Sequence, residues 1–260
     1  MTLDGLPLSP DYLEQLKKLV IDAGAAILEI YHSDNFDIEL KSNNSPVTKA
    51  DLAAHNVLIK GLSAITPNMP VVSEEDDSSL VIPKDHQLYW LIDPLDGTKE
   101  FINKSDEFTV NLALINNHKP VFGFVGIPAL DTLYWGGKGH DSFKSSNNTS
   151  FQAIHVKKTS NVTRVFASKS HLNPETETFI DALVGEIELV QAGSSLKFLR
   201  IAEGEADIYP RLAPTCEWDT AAAHAVLEGA GGSVTQVDGS ELRYGKTNIL
   251  NPYFVARGKV

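Results

Sequence analysis

The chain has 260 residues, 42% hydrophobic and 22% charged, with a formal net charge of -12. That length suits one large domain or two small units sharing a core, and the composition is ordinary for a soluble globular protein. The acidic balance argues against a nucleic-acid polymer as partner, since phosphate backbones are held by clustered Lys and Arg, but it allows a small phosphorylated ligand bridged to carboxylates by divalent cations.

The first predicted element is a helix. Ser9 can cap it, Pro10 suits the first helical position, and Leu13, Leu16, Val20, Ala23, Ile27 and Ile30 form one apolar stripe. An alternating strand is expected at Phe36 to Leu40, then a polar loop through Asn43, Asn44 and Pro46. A second helix runs from Thr48 to about Ile65. Short apolar strands follow at Val71-Val72, Leu88 to Ile92, Thr109 to Ile115, Val121 to Ile127 and Thr132 to Trp135, several spaced for antiparallel pairing. Ser145 to Ser150 reads as a surface loop.

Beyond that loop, strand and helix alternate. Strands are expected at Arg164 to Ser168, Ile187 to Gln191, Asp207 to Tyr209, Gly232 to Gln236 and Tyr253 to Ala256. Helices are expected at Pro174 to Val184, Ser195 to Glu203 and Thr220 to Glu228. The layout is two layered α/β units in one chain, with sheets covered by helices.

No apolar run approaches the ~20 residues that span a bilayer, and the N-terminus lacks the basic and hydrophobic regions of a secretory signal. The single cysteine, Cys216, rules out an intramolecular disulfide and suits a reducing cytoplasm. It has no basic neighbour in sequence and reads as an inert small hydrophobe.

The chemistry concentrates in acidic residues. Trp90-Leu91-Ile92-Asp93-Pro94-Leu95-Asp96-Gly97-Thr98 is an apolar strand delivering two aspartates and a threonine into a turn set by Pro94 and Gly97. Val71-Val72 delivers Glu74 and Glu75 in the same way, and Asp219 follows Trp218 before an alanine-rich helix. Carboxylates at strand ends with few basic residues nearby repel one another unless cations intervene, and hard oxygen donors suit Mg²⁺. Taken singly, these residues have plainer readings: Asp93 and Asp96 as turn formers, Asp219 as a helix N-cap, and Glu74 to Asp77 as a solvated loop. Scattered histidines and the absence of Cys/His spacing argue against zinc. Thr48-Lys49-Ala50-Asp51 fits a capping box, and equally a catalytic Asp placed to take a proton from a neighbouring hydroxyl.

With Glu74-Glu75, Asp93 to Thr98, Trp218-Asp219, Gly231-Gly232 and the early segment Pro46-Val47-Thr48 with Asp51, the chain resembles the inositol monophosphatase superfamily. Within it the chain is most similar to the CysQ-type 3′(2′),5′-bisphosphate nucleotidases. The match is carried by Asp93 to Phe101, by Gly193-Ser194-Ser195-Leu196-Lys197-Phe198 and by Tyr209-Pro210-Arg211. The resemblance runs from the first helix to the last strand. It implies an α/β (α+β) layered αβαβα sandwich, with residues 1–157 carrying most metal ligands and 158–260 the nucleotide contacts and the last ligand.

The implied cofactor is Mg²⁺, two or three ions held by Glu74, Asp93, the Leu95 carbonyl, Asp96 and Asp219. Thr98, oriented by Asp51, would help water attack phosphorus with Glu74 in a catalytic role, and no phosphoenzyme is needed. Gly97, Thr98, His171, Ser194, Lys197, Arg211 and Asp219 would face the substrate. Arg211 and Lys197 stand where a sugar phosphatase has an acidic residue or needs no cation, which suits a second phosphate. The implied reaction is removal of the 3′-phosphate of adenosine 3′,5′-bisphosphate, with its sulfated form as a further candidate, in sulfur assimilation or nucleotide recycling. The implied location is cytoplasmic; CysQ-type proteins are also associated with the inner face of the bacterial membrane. The rivals are an inositol or sugar phosphatase of the same superfamily, a non-catalytic nucleotide sensor, and an aspartyl-phosphate phosphatase, whose two-residue spacing the three-residue spacing of Asp93 and Asp96 does not match.

Overall fold

The computed structural model describes residues 2–3, 6–7, 9–33, 36–40, 46–80, 87–147, 150–158, 161–167 and 172–259. A short antiparallel pair, β1 (Thr2–Leu3) with β2 (Leu6–Pro7), precedes helix α1 (Pro10–Tyr31). Ser9 caps that helix by accepting from the Tyr12 amide. A second pair, β3 (Glu39–Leu40) with β4 (Pro46–Val47), leads into α2 (Lys49–Ile65).

Seven strands then form the larger sheet: β5 (Val71–Ser73), β6 (Leu88–Asp96), β7 (Thr109–Asn116), β8 (Lys119–Ile127), β9 (Thr132–Gly137), β10 (His140–Ser146) and β11 (Phe151–Ile154). Helix α3 (Thr98–Ile102) separates β6 from β7. From β6 to β11 the sheet is an antiparallel meander, and β5 alone pairs parallel, against β6. The second sheet contains β12 (Val162–Phe166), β13 (Glu186–Val190), β14 (Ile208–Arg211), β15 (Ser233–Gln236) and β16 (Phe254–Arg257), in the order β13-β12-β14-β16-β15. Its helices are α4 (Pro174–Asp181), α5 (Leu196–Ala202) and α6 (Trp218–Gly229).

The layers follow from strand alternation, since neighbouring side chains point to opposite faces. Trp90, Ile92, Leu112, Leu114 and Phe124 face α1 and α2, joining Leu16, Val20, Ile27, Leu58 and Leu62 in one core. Tyr89, Leu91, Ala113, Ile115 and Val125 face the other way, joining Leu199 of α5, Ala222 and Val226 of α6, and Phe254 and Ala256 of the second sheet. Helix α4 packs against β14 on the outer side. The protein is a layered αβαβα sandwich, and its strands read as continuous apolar runs because both faces of the larger sheet are covered.

Several sequence expectations change. The strand at Phe36 to Leu40 is confined to its last two residues, because Asp37 has φ 41 and breaks the extended run. Asn43 and Asn44 lie outside the described residues, whereas Pro46 is in a strand. Ser145 and Ser146 complete β10 instead of starting a loop, and polarity there reflects half-exposure. Strands β10 and β11 and the short helix α3 were not expected at all. The Asp93 to Gly97 segment is no simple turn: β6 continues through Asp96 with a register shift against β7 between Asp93 and Asp96. Proline cannot donate to the ladder, so the pairing is interrupted where Pro94 falls. Helix α6 starts at Trp218, which places Asp219 in its first turn, with Glu217 at the N-cap. No described helix is long and apolar enough to cross a membrane.

Candidate active site

Alternation along β6 puts Asp93 on the same face as Tyr89 and Leu91, the face covered by α6. Asp219 in the first turn of α6 therefore meets it, and Glu74, just beyond β5, completes a cluster. Oxygens of Glu74, Asp93 and Asp219 all lie within 4.8 Å of one another. Asp93 is 1% exposed, and its Oδ1 accepts the Leu95 amide at 3.1 Å.

The electrostatics are those of an anionic site. Burial raises the Asp93 carboxyl well above its ordinary value, and the charges of Glu74, Asp96 and Asp219 raise it further. Burial, reinforced by Asp96, pushes Asp219 up to about 7, against hydrogen bonds from Thr215 and the Cys216 amide. Asp96 is also raised by burial, although Ser194 and the Lys197 charge oppose the shift. Buried carboxylates that repel one another while presenting hard oxygens form a donor set suited to a divalent cation. The residues present fit a metal.

Asp96 stands beside that cluster. Its Oδ2 accepts from Ser194 Oγ at 2.6 Å and from the Ser195 amide at 2.8 Å, so the second half of the chain holds it. Gly97 has φ 95 and precedes α3, and a Cβ there would lie 3.2 Å from the Glu107 carbonyl. This left-handed turn starts α3 at Thr98. Thr98 Oγ1 then donates to Asp51 Oδ1 at 3.2 Å and lies 3.4 Å from the Leu95 carbonyl.

The two readings of Thr48-Lys49-Ala50-Asp51 are both realised, on different atoms. Asp51 Oδ2 accepts the Thr48 amide at 2.7 Å and the Thr48 hydroxyl at 2.6 Å, closing the capping box. Its Oδ1 faces Thr98. A buried carboxylate thus serves as helix cap with one oxygen and hydroxyl acceptor with the other.

A cavity of ≈ 710 Å³ is lined by Lys197, Arg211, Tyr209, Phe166 and Leu172, among others, and Ser194 links it to Asp96 by bonding both that carboxylate and Lys197. Lys197 Nζ donates to the Ser194 carbonyl at 3.2 Å and sits 5.3 Å from the Tyr209 ring centre. Burial lowers the Lys197 pKa, the Arg211 charge lowers it further, and Asp96 opposes both. Arg211 donates from Nη2 to the Pro214 carbonyl at 2.6 Å, while its buried Nε has no acceptor among the described residues. Glu100 and Glu107 share this wall, and Glu107 Oε2 is engaged by the Gly193 amide at 2.7 Å. His171 lies outside the described residues.

Sequence reasoning missed the hydroxyl groups that orient these carboxylates. Thr215 Oγ1 donates to Asp219 Oδ2 at 2.5 Å, and Thr109, Asn111 and Ser195 cluster behind Asp96 and Ser194. The available signal was Thr109 and Asn111, two polar residues in an otherwise apolar strand.

The sequence profile of the inositol monophosphatase family matches residues 10–256. The chain belongs to that family. The 3′(2′),5′-bisphosphate nucleotidase CysQ of Escherichia coli strain K12 is 43% identical over 244 residues, covering 93% of this chain and 98% of that protein. The crystal structure of CysQ from Bacteroides thetaiotaomicron superposes with a TM-score of 0.84 at 37% identity, covering 98% and 99% of the two chains. The extragenic suppressor protein suhB from Bartonella henselae shares the fold alone, with a TM-score of 0.75 at 23% identity over 95% and 94% of the chains.

Proposed function

We propose that the protein is a Mg²⁺-dependent phosphatase that hydrolyses the 3′-phosphate of adenosine 3′,5′-bisphosphate to AMP and phosphate. The observation that carries this reading is the juxtaposition of the carboxylate cluster with a cavity whose wall presents Lys197 and Arg211. The activity named for the E. coli relative supports it.

In this reading Glu74, Asp93, Asp96, Asp219 and the Leu95 carbonyl would hold two or three Mg²⁺ ions. Bound there, the ions would supply Lewis-acid stabilisation of phosphoryl charge and lower the pKa of water. The chain's own contribution begins at Asp51. Its Oδ2 is fixed by Thr48, which aims Oδ1 at the Thr98 hydroxyl. Thr98 can pass its proton to Oδ1 as it takes one from the attacking water, so that the water oxygen bonds to phosphorus while the P–O bond to the ribose breaks and the leaving ribose oxygen takes a proton from solvent. Gly97 sets the turn that presents Thr98, and the Glu74 carboxylate would accept a hydrogen bond from the attacking water and orient it. Lys197 and Arg211, with Ser194, would bind the 5′-phosphate that remains on AMP, through charge-assisted hydrogen bonds. His171 is proposed as a nucleotide contact on resemblance alone.

The chain would divide near residues 157 and 158, a division supported by a larger sheet ending at Ile154 and a second sheet beginning at Val162. The enzyme would work in a reducing compartment, the cytoplasm, which a single thiol supports. The test is phosphate release from adenosine 3′,5′-bisphosphate, its sulfated form, inositol 1-phosphate and fructose 1,6-bisphosphate with Mg²⁺. The adenosine bisphosphate should be turned over with the highest kcat/KM. Equal or better turnover of inositol or fructose phosphate would overturn the substrate assignment.

A further inference from the structure

We propose that Thr109 is a positioning residue for Asp96, acting through Ser194 with Ser195 and Asn111 behind it, and that this hydroxyl cluster sets the metal affinity of the site. The inference rests on the reading of Asp96 as a metal ligand.

Asp96 is poorly constrained by its own strand. Between Asp93 and Asp96 the register of β6 on β7 shifts, so the regular ladder is interrupted where the carboxylate must be aimed. Its orientation comes instead from the Ser194 hydroxyl and the Ser195 amide, about a hundred residues later. That loop is itself strained, with Ser194 at φ 47 in the left-handed region. Such a conformation costs on the order of 1–3 kcal/mol in a non-glycine residue and persists only where its surroundings hold it.

Two groups hold it. Glu107 fixes the Gly193 amide at 2.7 Å, and a Cβ on Gly193 would come within 2.9 Å of the same carboxylate. Thr109 Oγ1 reaches Ser194 Oγ at 2.9 Å and Ser195 Oγ at 2.8 Å, with Asp96 Oδ2 and Asn111 Oδ1 each at 3.4 Å. Thr109 is 0% exposed and pairs with Asp96 across the sheet, while Asn111, 1% exposed, pairs with Asp93. These two polar residues on buried strand β7 thus lie opposite the two aspartates. Valine would fill the Thr109 site equally well and strengthen the strand, so packing does not account for a buried hydroxyl there.

Proton bookkeeping gives the cluster a direction. An ionised Asp96 only accepts, so the Ser194 proton must point at Oδ2. Ser194 Oγ is then an acceptor toward Thr109, whose single proton goes to it. Ser195 Oγ, 2.8 Å from Thr109 Oγ1, donates to Asn111 Oδ1 at 3.1 Å and closes the cluster behind Thr109. The donors run from Thr109 through Ser194 to Asp96, each polarising the next. Removing the Thr109 hydroxyl takes away the start of this run and releases the strained loop that aims Asp96.

The test uses the full-length enzyme stripped with EDTA and titrated with Mn²⁺ under electron paramagnetic resonance, without nucleotide. Thr109→Val should weaken Mn²⁺ binding about tenfold while Thr109→Ser stays within about threefold of wild type, the scale expected for groups that orient metal ligands. Wild-type Mn²⁺ affinity in Thr109→Val overturns the proposal, as does a Thr109→Ser variant no better than Thr109→Val, since shape and not the hydroxyl would then matter. If Thr109→Val does not fold by circular dichroism, Ser195→Ala carries the same test: weakened Mn²⁺ binding supports the proposal and unchanged binding overturns it. A wild type that binds no Mn²⁺ would instead remove the metal-site reading on which the proposal stands.

Discussion

Metal-free protein should become less stable as pH rises, and Asp219 is one of the buried carboxylates that should contribute to the loss. Burial and the Asp96 charge lift its folded pKa from an ordinary 3.8 to about 7. The folded state therefore holds this proton more tightly than the unfolded chain does. The penalty is absent below the unfolded value, grows above it, and is complete once the pH passes the folded value. At 1.36 kcal/mol per unit the full penalty is about 4 kcal/mol, of which about 3 kcal/mol accrues between pH 5 and pH 8. For a chain of this size that corresponds to a fall in Tm of roughly 6–12 °C.

Asp219→Asn is the informative perturbation. An amide has nearly the carboxylate's shape, its oxygen can still accept from Thr215 and the Cys216 amide, and it does not titrate. Melting curves in EDTA at pH 5 and pH 8 should show the variant losing less stability than wild type by about that 3 kcal/mol. Millimolar Mg²⁺ should restore the wild type at pH 8 and leave the variant unchanged. Equal losses in the two proteins would refute the account of Asp219 as a carboxylate ionised at a cost that a cation offsets.

Thr98→Ala and Asp51→Asn should each lower kcat by ~10²–10⁴ with little change in KM, and the double variant should fall far short of the product of the singles. Fully multiplicative losses would leave Asp51 as a helix cap alone. Arg211→Ala should cost roughly ten- to a hundredfold in kcat/KM on adenosine 3′,5′-bisphosphate, through loss of a charge-assisted hydrogen bond, and almost nothing on adenosine 3′-monophosphate. Equal losses on both nucleotides would assign Arg211 to the fold. Gly97→Ala should destabilise the protein by about 1–2 kcal/mol, since its φ of 95 and the nearby Glu107 carbonyl leave no relaxed place for a methyl group. A melting curve matching wild type would show that the turn adapts.

The fold was legible where local and tertiary preferences agree. Helices α1 and α2 were placed within a residue, because Ser9 and Thr48 are strong caps and the apolar stripes have a helical period. Strands β7 and β8 were visible as β-rich apolar runs. Strands β10 and β11 were not, because His140 to Ser146 and Phe151 to Ile154 form the outer end of the sheet. Half-exposed polar side chains there give no apolar run, and only pairing, of β10 with β9 and of β11 with β10, makes them strands.

The carboxylates divide in the same way. Glu74, Asp93, Asp96 and Asp219 stand out in the sequence because acidic residues interrupt apolar strands or precede an alanine-rich helix, a pattern costly to a fold unless the charges are used. Residue types and spacing therefore determined the anionic character of the site and the two candidate roles of Asp51. Which oxygen of Asp51 caps a helix and which faces Thr98 was decided only when α2 packed beside the bulged end of β6. Likewise, the sequence offers Ser194 as a substrate contact, Ser195 as part of the same motif and Thr109 as a strand residue. They become the supports of Asp96 because closing the second half of the chain over the larger sheet brings residues about a hundred positions apart to within 3 Å. Hydrogen bonds fall off over tenths of an ångström, so their partners are set by the packing of layers, which no local pattern encodes.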